Sequence, residues 1–183
     1  MKKTVLTFGL ISGAVSAGIM LATIPFVDKV GWERGEVLGY TSIVLSALLI
    51  FFGIRSYREN VAGGRLTFGR GFAVGILITL ISSACYVATW ELVYYKFMPG
   101  FAEKYAAHMV ERAKASGAGQ QKIDETTQRA QQFAQMYHNP VINVALTFME
   151  VFPIGLAVTL LSAGILRKKS PSADSSPAAS NPA

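Results

Sequence analysis

The sequence predicts an all-α fold: an integral membrane four-helix bundle with an extramembrane helical hairpin between spans three and four. Three observations predict it. The 183 residues are 51% hydrophobic and 15% charged, too apolar and too sparsely charged for a soluble domain of this size. The apolar residues gather in four runs, residues 4–27, 37–54, 71–95 and 141–166, and about 20 residues at 1.5 Å each cross a hydrocarbon core of roughly 30 Å. Nine of the seventeen Lys and Arg stand in three clusters against the ends of these runs: Lys2 and Lys3; Arg55, Arg58, Arg65 and Arg70; Arg167, Lys168 and Lys169.

That placement follows the positive-inside rule, which puts both termini in the cytoplasm. The net charge of +6 is therefore read as a lipid signal. A nucleic-acid surface would gather its cations on one folded face with polar or aromatic readers between them, so no nucleic-acid partner is expected and the bilayer is.

The first run, residues 4–27, is the first span. Its competitor is a cleaved signal peptide, since Lys2, Lys3, the apolar stretch and Val15-Ser16-Ala17 have the required order. The apolar run continues about ten residues beyond that point, longer than a signal peptide needs. Residues 28–36, with Asp28, Lys29, Glu33, Arg34 and Glu36, read as a tight outer turn, and Trp32 suits the interfacial aromatic belt. The second run ends at Arg55. Residues 55–70 then form a short basic cytoplasmic loop in which Gly63-Gly64 reads as a turn. There Arg55, Arg58, Arg65 and Arg70 are expected to face anionic headgroups.

The third run closes on Trp90, Tyr94 and Tyr95, as a helix does where it leaves hydrocarbon. Residues 96–139 are too long for a passive connection. Phe97, Phe101, Tyr105, His108 and Met109 recur at helical spacing, Ser116-Gly117-Ala118-Gly119 interrupts, and Ile123, Thr127, Ala130, Ala134 and Tyr137 then step by three and four with Phe133 alongside. This is one narrow apolar stripe on a polar cylinder, hence a hairpin outside the membrane, packed on itself or lying on the headgroups. Asn139 is placed to cap the fourth span and Pro140 to occupy its first position. Residues 170–183, rich in Ser, Ala and Pro, cannot build a core and are expected to be a disordered cytoplasmic tail, leaving residues 1–169 as the membrane domain.

The order of spans, the loop Gly63-Gly64-Arg65-Leu66-Thr67-Phe68-Gly69-Arg70-Gly71-Phe72 and the later Cys85-Tyr86-Val87-Ala88-Thr89-Trp90-Glu91 resemble the family of small bacterial membrane proteins grouped as domain of unknown function 4199. The resemblance covers residues 1 to about 169. It implies four spans in a bacterial inner membrane and carries over no activity, cofactor or catalytic residue.

Chemistry has few places to reside. Glu91 and Glu150 are the only acids inside the expected spans, and an ionisable group in hydrocarbon is costly enough to be a functional hypothesis. Glu91 stands near the outer end of its span, where water or a neighbouring aromatic satisfies it cheaply. Glu150 is about nine residues into span four, and Pro153 removes a backbone donor and frees the Met149 carbonyl at a helix kink, an arrangement that suits a cation or a proton. The competing reading is a protonated structural Glu150 bonded to Ser82, Ser83 or Thr89. His108 and His138 lack metal-ligand spacing, so no metal is expected. Cys85 is the single thiol and has no partner in the chain for a disulfide. Small residues at intervals of four, Gly9, Gly13 and Ala17, Ser42 and Ser46, Gly71 and Gly75, let helices approach closely, inside one chain or in a homo-oligomer.

Two functions follow. In the first the hairpin presents Ile123, Ala130, Phe133, Ala134 and Tyr137 as a docking face for a protein partner. In the second a small transporter uses Glu150, with Glu91, as titrating groups. The absence of Ser-His-Asp, His-Glu-x-x-His and phosphate-loop patterns argues against an enzyme, and no cofactor is expected.

Overall fold

The computed structural model describes residues 1–26 and 31–168. Asp28 and Lys29 of the outer turn, Lys169 of the last basic cluster and the expected tail, residues 170–183, lie outside the described residues. Among the described residues six α-helices run in order: α1 Lys2–Thr23, α2 Trp32–Asn60, α3 Phe68–Lys96, α4 Phe101–Ala115, α5 Gln120–Tyr137 and α6 Pro140–Ile165. A single 3₁₀ turn, Ile24–Phe26, continues α1. Four of the helices, α1, α2, α3 and α6, are long and apolar enough to cross a membrane.

The helices outrun the apolar segments that announce them. α2 begins at Trp32, after Gly31 in the left-handed region (φ 74°), and ends at Asn60. The segment read as a tight outer turn therefore contributes the first turn of α2, because backbone hydrogen bonding continues through charged residues until a chain reversal stops it. The reversal on the other side is the expected one, with Gly63 and Gly64 at φ 60° and 79°. α3 is capped by Thr67, whose hydroxyl accepts the Arg70 N–H at 3.4 Å. Asn139 caps α6 as the sequence predicts: its Oδ1 accepts the N–H groups of Val141 at 3.0 Å and Ile142 at 3.4 Å, with Pro140 at the first helical position.

α3 is the shared element, packing on α1, α2 and α6, while α2 also packs on α1 and α6. Close approach rests on glycine. A Cβ added at Gly13 would fall 2.5 Å from Cys85 Cβ, and at Gly155 2.5 Å from Thr79 Cγ2; Gly9 faces Ile81 and Gly75 faces Thr159 in the same manner. The small residues read from the sequence at positions 9, 13, 71 and 75 are thus used within the chain. Near the loop end, Ile50, Ile54, Leu66, Val74 and Ile78 are buried in one apolar cluster. Leu66 and Lys168 pair as an antiparallel bridge, Lys168 N–H to the Leu66 carbonyl at 2.9 Å and Leu66 N–H to the Lys168 carbonyl at 3.3 Å. The loop after α2 and the end of α6 therefore lie together.

Through the middle the interior is hydroxylic. Ser12 donates to the Ser46 carbonyl at 2.8 Å and to Ser82 Oγ at 3.2 Å, and Thr79 and Thr159 share a hydrogen bond of 3.0 Å. Such pairs join helices without exposing a polar group to an apolar surrounding.

Candidate functional site

At the end opposite the loop, α4 and α5 pack on each other and α5 touches α6. Their anchor is aromatic. Tyr94 of α3, Ala102 of α4 and Tyr137 of α5 form a buried cluster flanked by Trp90, Phe101 and Phe133. Trp90 Nε1 donates to the Tyr137 hydroxyl at 2.9 Å. Burial pushes that phenol up to about 12. From the other side Trp32, at the start of α2, sets its ring 5.5–5.7 Å from Phe101, Tyr105 and His108, so this ring serves a contact with α4.

The residues expected to form a docking face lie partly within this geometry. Ala130 and Tyr137 are buried, and Ile123, Phe133 and Ala134 are half-buried. Phe133 meets Tyr105 at 5.4 Å, and Tyr137 meets Tyr94 at 5.4 Å and Phe101 at 6.1 Å. A stripe this narrow is the width of one neighbouring helix, and α4, with the end of α3, occupies it.

Glu150 and Glu91 stand on different helices, α6 and α3. Glu150 lies one turn before Ile154, which packs with Ile43 of α2 and Tyr86 of α3, so the carboxylate sits on the flank of α6 that is turned to α2, with its side chain accessible. Its charge acts on Tyr40 of α2, Tyr86 of α3, Tyr105 of α4 and Tyr137 of α5, and Glu36 of α2 is within electrostatic reach of it. Tyr105, beside Glu36, is raised above the ordinary phenol range first by burial and then by that carboxylate. Residues of four other helices thus lie within reach of the Glu150 charge, and on α2 Val37 and Tyr40 are 65% and 51% exposed.

The hydroxyls that a structural Glu150 was expected to use are turned elsewhere. Thr89 donates to the Cys85 carbonyl at 2.8 Å, Ser82 accepts from Ser12, and Ser83 Oγ has no hydrogen-bond partner among the described residues. Pro153 lies within α6, which continues through it to Ile165, and the missing N–H leaves the Met149 carbonyl without its helical donor one residue before Glu150. Glu91 is half-buried, with Oε1 buried and unpartnered among the described residues, and its charge acts on Tyr94 and Tyr137.

At the loop end, Arg55 and Arg58 bracket Glu59 at 3.0 and 3.1 Å, and Arg58 reaches the Leu166 carbonyl at 3.5 Å. Arg65 lies in the turn and Arg70 in the first turn of α3, both exposed. His138 Nε2 meets Glu103 at 2.6 Å, with both side chains more than half exposed. The Glu103 carboxyl lies below the ordinary carboxylate range, chiefly through its own backbone N–H and then through His138. A lowered folded-state value stabilises above the unfolded value, about 4.3, and the effect is lost as pH falls through the lowered value. The pair is exposed, so Glu103→Gln is expected to lower the melting midpoint by no more than about 3 °C at neutral pH, and the difference should vanish in acid. Thermal melts across pH check this.

The sequence reading missed Glu36, Tyr40 and Tyr86 as neighbours of Glu150. It also missed the buried row Asn143, Thr147, Val151, Gly155, Thr159 and Ala163 on α6, although its interval of four is visible in the residues themselves.

No curated protein and no solved structure matches the chain. The profile of one family, described as a protein of unknown function and designated DUF4199, matches residues 7–168. That match takes in α1 from residue 7 onward and the whole of α2 to α6, Glu150 included, and the chain belongs to the DUF4199 family.

Proposed function

We propose that the chain is a multi-pass protein of the bacterial cytoplasmic membrane whose working site is Glu150 together with Glu36, and that it moves a proton or small cation. The spans are α1, α2, α3 and α6. Both termini and the arginine loop are cytoplasmic, and α4 and α5 stand outside as a hairpin. The Leu66–Lys168 bridge supports this topology, because it holds two basic segments at one end. One observation carries the functional reading: Glu150 on α6 is partly withdrawn from water and lies within electrostatic reach of Glu36 on α2, with Tyr40 and Tyr86 around it. Two carboxylates within reach of each other bind a cation or share a proton in preference to standing as two charges.

Flux in proteoliposomes tests it. Wild type should give pH-dependent cation or proton movement that Glu150→Gln abolishes, whereas Glu91→Gln, on α3 and not among the groups acting on Glu150, should retain most of it. If wild type and Glu150→Gln were equally inert over a range of cations, the transport reading would fall.

A second reading, an accessory protein that presents the hairpin to a partner, draws on the rigid aromatic anchoring of α4 and α5. The apolar stripe is used internally, so the surface offered is the charged one, including Lys104, Glu111, Arg112 and Arg129. A stoichiometric partner retained by wild type and lost on charge reversal at Arg112 and Arg129 would favour it.

A further inference from the structure

We infer that the centre of the four long helices contains a binding site for a single water molecule bridging Ser46 of α2 and Ser83 of α3. A cavity of about 10 Å³ lies between them, with Ser16, Thr79, Ser82 and Tyr86 also on its wall. Ser46 and Ser83 are 4% and 1% exposed, and neither Oγ has a hydrogen-bond partner among the described residues.

Most of the surrounding hydroxyls are already engaged. Ser16 donates to the Gly13 carbonyl at 2.9 Å, Ser12 donates to Ser82 Oγ, and Thr79 pairs with Thr159. Two orphaned hydroxyls on facing helices therefore define the site. A buried hydroxyl without a partner is destabilising, and a space of about 10–15 Å³ with two to four polar neighbours is what one water requires. The occupant is neutral: no Asp, Glu, Lys or Arg lines the cavity, and a cation there would lose its hydration shell without a counter-charge. The water makes α2 and α3 partners through a bridge that either serine alone cannot complete.

Alanine variants give a test by sign. If a water joins the two hydroxyls, Ser46→Ala and Ser83→Ala should each lower the melting midpoint in detergent by about 2–4 °C. The double variant should lose clearly less than the sum, because either single change already breaks the bridge. A rise in midpoint for either single variant, as expected when an unpaired hydroxyl is removed, or strict additivity, would overturn the proposal. So would stabilisation by sodium over choline at equal ionic strength that is lost in Ser46→Ala, since it would assign the site to a cation.

Radiolytic hydroxyl labelling of the wild-type protein supplies a measurement that needs no variant. A bound water generates radicals in place, so Tyr86 and Val151 on the cavity wall should be oxidised although buried. Their complete protection would also overturn the site.

Discussion

Gly155→Ala is expected to lower stability by about 3 kcal/mol, roughly 10 °C in melting midpoint, although it adds a single methyl group. The new Cβ would lie 2.5 Å from Thr79 Cγ2. Thr79 has little freedom to retreat, being β-branched and held by hydrogen bonds to Thr159 Oγ1 at 3.0 Å and the Gly155 carbonyl at 3.4 Å. The clash must therefore separate α3 from α6. Removing the offending atom gives the decisive comparison. In a Thr79→Ser background the nearest remaining atoms are the side-chain oxygen and Cβ at 3.3–3.4 Å, and the same substitution should then cost under about 1 kcal/mol, a coupling of about 2 kcal/mol. Gly164, which has nothing within 4 Å of an added Cβ, is the control: Gly164→Ala should be neutral or stabilising by up to about 1 kcal/mol through helix propensity. If Gly155→Ala melted like wild type, α3 and α6 would not meet at this register.

The same residues show what a single sequence discloses. Four apolar runs were legible because hydrocarbon demands unbroken apolar surface over about 20 residues, and no other constraint writes so long a signal. Their ends were not. Charge marks where an apolar environment stops, whereas the helix stops only where the backbone reverses, so Trp32 and Glu36 belong to α2 despite their polarity. Local chemistry was readable wherever partners are adjacent in the chain, as in the Asn139 cap and the Gly63-Gly64 turn. The stripe on α5 was readable too, but a pattern identifies a face without naming what covers it. A hairpin packed on itself was one arrangement the pattern allowed, and α4, only a few residues away across the break at Gly117, packs on α5.

For the candidate site the limit is one of distance along the chain. Pro153 and Glu150 could be read together because they share one turn of helix. Glu36, Tyr40 and Tyr86 come to Glu150 from two other helices, and nothing local records that. Their arrival changes the chemistry. A lone intramembrane carboxyl can be a protonated structural group, whereas one within reach of a second carboxyl has a like charge to relieve, which a bound cation or a shared proton does. Glu36 and Tyr40 depend on where α2 stands, and α2 is fixed at this end by the Trp32 ring against α4. The aromatic anchor of α4 and α5 therefore helps to set the surroundings of Glu150 without contributing a charge to them.

Tyr137→Ala tests that dependence and should be the most damaging single change at this end. The ring is 7% exposed and lies against Tyr94, Phe101 and Phe133 at 4.9–6.1 Å, so truncation opens a cavity costing about 3–5 kcal/mol. The loss falls on one region. The cluster of Tyr94, Ala102 and Tyr137 is separate from the apolar cluster between the long helices, so α4 and α5 should detach while α1, α2, α3 and α6 remain packed. Hydrogen exchange should show protection falling across Phe101–Ala115 and Gln120–Tyr137 with that of Phe68–Lys96 largely retained up to Trp90. Tyr137→Phe separates ring from hydroxyl. It keeps the packing but leaves the Trp90 N–H without its acceptor at 2.9 Å, and should cost about 1–3 kcal/mol. Uniform loss of protection in Tyr137→Ala would show that the anchor and the long helices unfold as one unit. Selective loss would mean that α4 and α5 form a cap separable from the four long helices.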